Sequence, residues 1–322
     1  PAVSVFRTSE VVVPVNSIPS SAELINSGFV KRRRLIDRGM RVFLFLCAAL
    51  SVFVTFAIVY ILIRDSAGFF AHVPLFDFLF GTMWTPVFAD PQFGVLPLLA
   101  ATLQTAGLAM IIAVPFGLIM AIYLSEYAKP AVRETVKPAL EMLEAVPTVV
   151  YGYFALLVMT PFMQHLIPGL KGINLLVPGI ILGIMILPYV VSVSEDAMRA
   201  VPNSLREGGY ALGMAKWQVA TRIVIPGAFS GITAAFILGM SRAVGETMVL
   251  AIAAGQNPNL TWDPREGAAT ITAYIVQMSL GDVAHGSVAY ESIFAVGLLL
   301  FVITLTFNVI GFYLRRKFRE AY

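Results

Sequence analysis

Of 322 residues, 58% are hydrophobic and 13% charged, against about 25% charged in a soluble domain; this excludes an ordinary soluble fold and points to a chain dissolved in lipid. A formal net charge of +3 is too small to argue for a nucleic-acid partner. The single cysteine, Cys47, rules out an intrachain disulfide and a Cys-based metal site, and His72, His165 and His285 stand too far apart in polar connections to suggest a metal cluster.

In chain order, residues 1–30 are polar with scattered Pro and Ser and read as a mobile tail. A spanning helix needs roughly 20 consecutive apolar residues, and the first such run is 42–63. It exceeds the core of a signal peptide and follows a long leader, so a retained anchor is expected rather than a cleaved one. After a connection at 64–97, further runs follow at 98–124, 145–164 and 175–194. Pro115, Pro147 and Pro188 fall within or at the ends of these runs, which membrane helices tolerate when neighbours satisfy the freed carbonyls. The fifth run, 228–254, contains Arg242 and Glu246; after a connection at 255–288 the sixth runs over 292–314. Trp84 and Trp262, in the two long connections, are expected at headgroup level. The fold class is therefore an all-α integral membrane protein: a tail at 1–30 and a six-transmembrane-helix domain at 31–322.

The cations orient the spans. Of the 22 Lys and Arg, eighteen fall before the first run, after the second, after the fourth and in the tail. Arg64, Lys171 and Arg265 fall on the other side, and Arg242 lies within a run. The positive-inside rule then puts both termini in the cytoplasm of a multi-pass cell (inner) membrane protein, which requires an even number of spans.

The longest inner connection is 195–227. Ser204 followed by Glu207 forms the pattern of a capping box, so a short helix is expected from Leu205. Gly213 suits the position just past its end, after about two turns. A second helical stretch, 216–225, precedes Pro226. A short helix offering Leu205, Tyr210, Ala211 and Leu212 is a means of mechanical coupling to a soluble partner. No G-x-x-x-x-G-K-[ST] phosphate loop occurs, so this chain holds no nucleotide by that device, and no catalytic triad sits in a plausible pocket.

In the fifth run, an ion at the bilayer centre costs about 2.5–3.5 kcal/mol on insertion scales. Arg242 is expected near the midplane, and Glu246, one turn on, shares its face at helical spacing and can pair with it. Two readings stand: an ion pair that locks helices together, or a pathway site for an anion, since the planar guanidinium fork suits phosphate and similar oxyanions. In the second, the carboxylate keeps the Arg from trapping the anion. Small residues along the run, among them Gly231, Gly239 and Gly245, allow close helix approach. Glu141, Glu144, Glu195 and Asp196, near inner ends of spans, are expected to be solvated or paired with inner-loop cations. Tyr151 and Tyr153 are the other candidates for lining a pathway; Gln104, Ser192, Thr304 and Asn308 read as interhelical hydrogen-bonding groups.

These residues resemble a known family. Glu207-Gly208-Gly209-x-x-x-Gly213, nine residues, then Ile223-x-Ile225-Pro226 is similar to the EAA loop of importer-type ABC permeases, with two glycines for the two alanines and Ile225 for Leu. Ser241-Arg242-Ala-Val-Gly245-Glu246-Thr247-Met248 and Ala253-Ala-Gly255 resemble the fifth-span signature of phosphate-specific ABC permeases of the PstC type, and Glu144-Ala-Val-Pro147-Thr-Val-Val-Tyr151-Gly152 and Phe93-Gly-Val-Leu-Pro97 agree. The likeness covers 30–320 and implies a MetI-like fold. It also implies a coupling role for Ser204, Glu207, Gly208, Gly209, Tyr210, Ala211, Gly213, Ile223 and Pro226, and a pathway role for Arg242, Glu246, Thr247, Tyr151 and Tyr153. The partners it implies are a second permease of the PstA type, ATPase subunits that carry the ATP and Mg, and an extracytoplasmic phosphate-binding protein; no cofactor is expected in this chain, which is itself no enzyme. Phosphonate, sulfate or molybdate as cargo, an ion-gradient-driven carrier, and a non-transporting sensor remain the alternatives.

Overall fold

The computed structural model describes residues 28–317, with side chains from 32 onward. The tail expected at 1–30 therefore lies outside the described residues except for the backbone of 28–30, and so do Arg7, the Lys31 side chain and Arg319. Among the described residues the structure is helical, with one isolated antiparallel bridge, Trp84–Phe93. Five helices are long and apolar enough to cross a membrane: α1 (Gly28–His72), α3 (Leu96–Tyr127), α5 (Thr148–Leu166), α6 (Leu176–Arg199) and α12 (Val288–Lys317). A sixth is reached by counting a pair bent by 70°, α8 (Lys216–Gly227) with α9 (Phe229–Val244). The shorter helices are α2 (Leu75–Phe80), α4 (Pro130–Glu144), α7 (Asn203–Ala211), α10 (Met248–Ala253) and α11 (Ile271–Leu280).

Residues up to 60 and residues from 61 form separate units. In the first, α1 carries exposed apolar side chains such as Phe45, Phe53 and Phe56, and Cys47 is an exposed free thiol. In the second, α3 and α6 pack on small residues. A Cβ on Gly179 would lie 2.9 Å from Leu108 Cβ, and one on Gly183 would lie 2.8 Å from the Ala109 carbonyl oxygen. Ala106, Ala109, Ile181, Leu182 and Met185 are buried along this seam. Without a hydrophobic drive between helices in lipid, such close backbone approach is what holds them together.

The fifth apolar run does not form one helix. It ends at Val244, with Gly245 as its C-cap, and resumes as α10 from Met248. The residues that follow make a second departure from simple spans: Gly255 (φ +107°) turns the chain into the segment 256–270, which leads to the short apolar helix α11. Backbone groups of this segment are bound by the start of α6: Leu175 N–H donates to the carbonyls of Pro264 (3.0 Å) and Glu266 (2.9 Å), and Lys171 Nζ meets Glu266 at 2.7 Å. Asp263, held by Arg265 through side-chain and backbone hydrogen bonds, has its pKa lowered to about 2.

An aromatic cluster closes the same end. Trp84 packs edge-on against Tyr274 (5.0 Å between centroids) and Phe93, and Phe69 against Phe78 and Phe93. Trp84 is 2% exposed, so its ring packs inside the protein instead of facing outward as an exposed-side aromatic. The chain doubles back at Gly81 and Gly94, where a Cβ on Gly81 would lie 2.5 Å from Gly94 Cα, and this folds Trp84 inward. Trp262 is 76% exposed.

At the α3–α6 seam, Gly183→Val has no room, because the obstructing atoms belong to the Ala109 backbone. Overpacking of this kind costs about 1–3 kcal/mol; the expected outcome is a lower melting temperature of the detergent-solubilised protein, read by intrinsic fluorescence.

Candidate functional site

The short helix of the long connection forms, but not by the capping box expected. Its N-cap is Pro202 (φ −58°, ψ 138°) with no side-chain cap, and Asn203 is its first residue. Proline already holds the extended conformation of an N-cap, so Ser204 falls within the first turn, exposed. The other end agrees with expectation. Gly213 adopts φ +78°, with Gly213 N–H on the Tyr210 carbonyl (2.9 Å) and Met214 N–H on the Gly209 carbonyl (3.1 Å). Those two bonds are a Schellman motif, which glycine closes without the penalty a Cβ would bring.

One face of α7 lies on α8: a Cβ on Gly209 would meet Ile223 Cδ1 at 2.6 Å and Val219 Cγ2 at 3.1 Å. Gly208 faces open space, and nothing in the structure requires glycine there. Ser204, Leu205, Glu207, Tyr210, Ala211, Leu212 and Pro226 are exposed, while Ile223 is half-buried. α8 runs through to Gly227 with a π turn at Ala220–Val224.

What fixes α7 to the bundle is Arg206, which sequence reasoning counted only as an inner-loop cation. Its guanidinium donates to Glu126 Oε1 (3.1 and 3.3 Å), to the Met198 carbonyl (2.8 Å), to the Val201 carbonyl and to Asn203 Oδ1 (3.3 Å). Glu126 sits in the π turn Tyr123–Tyr127 at the end of α3, and both side chains are largely buried. One cation thus binds the Met198 carbonyl in the last turn of α6, the Val201 carbonyl just beyond it and the carboxylate of α3. No local pattern marks a partner eighty positions away. At the same end, Glu195 (1% exposed) lies between Lys137 (3.0 Å), Arg199 (3.7 Å) and Arg133 (3.8 Å), and Asp196 meets Lys137 at 2.7 Å. Burial lowers the Lys137 pKa, but the hydrogen bonds to Asp196 and Glu195 outweigh it and leave it raised. Glu195 and Asp196 are thus paired with inner-loop cations, as expected.

The charges of the fifth run are arranged differently from expectation. Arg242 and Glu246 do not pair. The helix ends between them, so the spacing that would align their side chains lapses at Gly245. Arg242, in the last turn of α9, forms its ion pair with Glu144, the last residue of α4, and its guanidinium lies 5.9 Å from the centre of the Tyr189 ring. Glu144 is therefore paired with a cation of the fifth run rather than with one from an inner loop, and it stays partly solvated. Both partners of the pair are about one-third exposed (34% and 33%). Glu246 is buried; its Oε1 accepts from Val249 N–H (3.4 Å) at the start of α10, and its carbonyl accepts from Thr272 Oγ1 (2.6 Å) of α11. Thr247 is the N-cap residue of α10 and bonds the Gly245 carbonyl at 3.3 Å.

Tyr151 is half-buried and donates its hydroxyl proton to the Leu143 carbonyl (2.7 Å), beside Glu144; Tyr153 is exposed. The adjacent Gly152 touches α10, since a Cβ there would lie 3.0 Å from Ile252 Cδ1 and 3.2 Å from the Met248 carbonyl. The structure thus brings Arg242, Glu144 and Tyr189 together, ties Tyr151 to the residue before Glu144, and sets Glu246 and Thr247 at the break that follows Arg242. Asn308 Nδ2 bonds Ser241 Oγ (3.2 Å) between α12 and α9, an interhelical role of the kind expected.

Residues 113–320 match the model of the binding-protein-dependent transport system inner membrane component. The chain belongs to this family of ABC transporter permeases. Over 92% of its length the permease is 34% identical to the probable ABC transporter permease protein YqgH of Bacillus subtilis, covering 96% of that protein. It is 35% identical over 74% of its length to the phosphate transport system permease protein PstC of Mesorhizobium japonicum (78% of that protein), and 34% over 80% to that of Haemophilus influenzae (86%). Among solved structures, a bacterial alginate ABC transporter chain superposes with a TM-score of 0.61 at 16% identity, over 89% of this chain and 98% of that one. The MetNI methionine ABC transporter superposes with a TM-score of 0.52 at 19% identity, over 70% and 95%. At these identities the likeness is one of fold, and it is the MetI-like fold expected from the sequence.

Removing one partner of a buried ion pair costs about 3–5 kcal/mol, because the other is left uncompensated. Arg206→Met should therefore loosen α7: amides 203–211 should exchange hydrogen faster by mass spectrometry, with the α3–α6 seam unchanged.

Proposed function

We propose that this permease is the membrane subunit of an ABC importer that carries inorganic phosphate into the cytoplasm by alternating access, with Arg242 as the group in the pathway that meets the anion. The observation that carries the reading is the Arg242 guanidinium. It is a cation at the end of an interrupted membrane helix, and it is about one-third exposed and already faced by a carboxylate. A planar fork of donors that accepts one carboxylate geometrically accepts a phosphate oxygen pair as well. Phosphate among the oxyanions is supported by the names of the Mesorhizobium and Haemophilus relatives. Thr247, Tyr151 and Tyr153 line the route, and Glu246 sits at the break with its carboxylate on the Val249 N–H.

Both termini and α7 face the cytoplasm in this reading, supported by the distribution of Lys and Arg. The exposed Leu205, Glu207, Tyr210 and Leu212 of α7 seat on a separate ATPase subunit, where ATP and Mg bind, and the Schellman turn at Gly213 sets the direction in which α8 leaves. A second permease of the PstA type completes the translocation unit, and a phosphate-binding protein delivers the anion from outside.

The test is uptake of labelled phosphate by the complex reconstituted in liposomes. Uptake should require ATP and resist competition by sulfate. Arg242→Gln should lower it about 10- to 100-fold, the equivalent of about 1.5–3 kcal/mol for a hydrogen bond to a charged group, while the complex still assembles on size-exclusion chromatography. Undiminished uptake by the variant would remove Arg242 from the pathway, and efficient displacement by sulfate would replace phosphate with a broader oxyanion class.

A further inference from the structure

We propose that Glu144 is an internal counter-anion: in the conformation seen here its Oε1 holds Nη1 of Arg242, and the transported anion gains the full Arg242 fork only by displacing it. The inference rests on the pathway role of Arg242 given above.

Three observations carry it. First, the partner of Arg242 is not on its own helix, where the spacing of Glu246 offered one, but on α4, across the bundle. Two carboxylate oxygens and the oxygens of a tetrahedral anion compete for the same donors, so occupancy by one excludes the other. Second, Glu144 stands at a joint. α4 ends on it: Ala145 N–H makes the last helical bond, to the Glu141 carbonyl (3.2 Å), Val146 is held by a longer turn bond to Leu143 (3.4 Å), and Pro147, the N-cap of α5, has no N–H to continue the ladder. Small rotations there move the carboxylate without breaking a helix. Third, the joint is tied to the interruption of the fifth run. The Tyr151 hydroxyl holds the Leu143 carbonyl, and the next residue, Gly152, lies against Met248 and Ile252 of α10. A shift of α10 relative to α9 is thus passed through α5 to the residue before Glu144, while Arg242 stays with α9. The carboxylate is withdrawn or returned as the two halves of the interrupted helix move, which couples access of the anion to the conformational cycle.

The test uses the purified complex, without ATP or binding protein, and equilibrium binding of labelled inorganic phosphate. Glu144→Gln keeps the shape and removes the competing charge; it should bind phosphate at least tenfold more tightly than the unaltered complex. Glu144→Asp retracts the carboxylate by one methylene and should give an intermediate affinity. Adding Arg242→Gln to Glu144→Gln should return binding to background. In uptake assays Glu144→Gln should lower KM and kcat together, because the anion is held too long. A purely structural ion pair predicts instead that Glu144→Gln and Arg242→Gln lose uptake alike with no gain in affinity, and that result would overturn the inference. Should Glu144→Gln fail to assemble, an unchanged affinity in Glu144→Asp overturns it equally. If Glu144→Gln gains nothing while Arg242→Gln still abolishes uptake, the inference fails and the phosphate reading stands. If Arg242→Gln transports normally, the reading beneath it fails.

Discussion

Every interruption of a helix in an apolar surrounding exposes backbone N–H and C=O groups that lipid cannot satisfy, and each must find a partner inside the protein. The permease has many interruptions, and its polar side chains are placed to answer them. Thr272 binds the Glu246 carbonyl where the fifth run breaks, and Thr102 accepts the Ile271 N–H at the start of α11. Thr270 caps the same helix through Ala273 N–H, and Arg206 takes the Met198 and Val201 carbonyls at the end of α6. The segment 256–270 stays in place because Leu175, Leu176 and Lys171 donate backbone N–H groups into it. The irregular pieces are thus attached to regular ones by bonds whose alternative is an unsatisfied group.

Charge follows the same rule. Arg206 is matched by Glu126, Arg242 by Glu144, and the buried Glu195 by three cations around it. The three sites differ in what surrounds them. Around Glu195 and around Arg206 the partners are several and the charges are closely held, which suits fixed joints. The Arg242–Glu144 pair is a single contact, one-third exposed on each side, beside a break in each chain segment. An ion pair that little enclosed is weak and exchangeable, whereas a deeply buried one is costly to open.

The sequence was legible where one residue type, repeated, carries the signal. Runs free of charge located the helices, the glycine at 213 ended α7 where expected, and the EAA-like spacing and fifth-run residues led to the family that the comparisons support. It was not legible where the outcome depends on a partner distant in the chain. Pro202 displaced Ser204 from the cap because proline already holds the N-cap conformation. Glu246 lost its pairing with Arg242 because the helix ends at Val244, and Thr272, from another helix, answers the Glu246 carbonyl freed there. Trp84 is buried because Gly81 and Gly94 let two backbones touch, and Trp262, the same residue type in a similar connection, is not. Glu144 and Arg206 looked like ordinary charges at the ends of spans; their partners lie 98 and 80 positions away.

The π turns at Tyr123–Tyr127, Ala155–Met159 and Ala220–Val224 bear on how such a chain can change over generations. A π turn holds one residue more than the α-helix around it, and one residue is about 100° of rotation for everything beyond it. Inserting or deleting a single codon at such a place re-aims the rest of the helix while leaving the length of the span almost unaltered. In α3 the turn carries Glu126, the carboxylate that receives Arg206. A lineage can therefore redirect the seat of α7 by one inserted residue, a step far shorter than re-evolving the helix face by substitution.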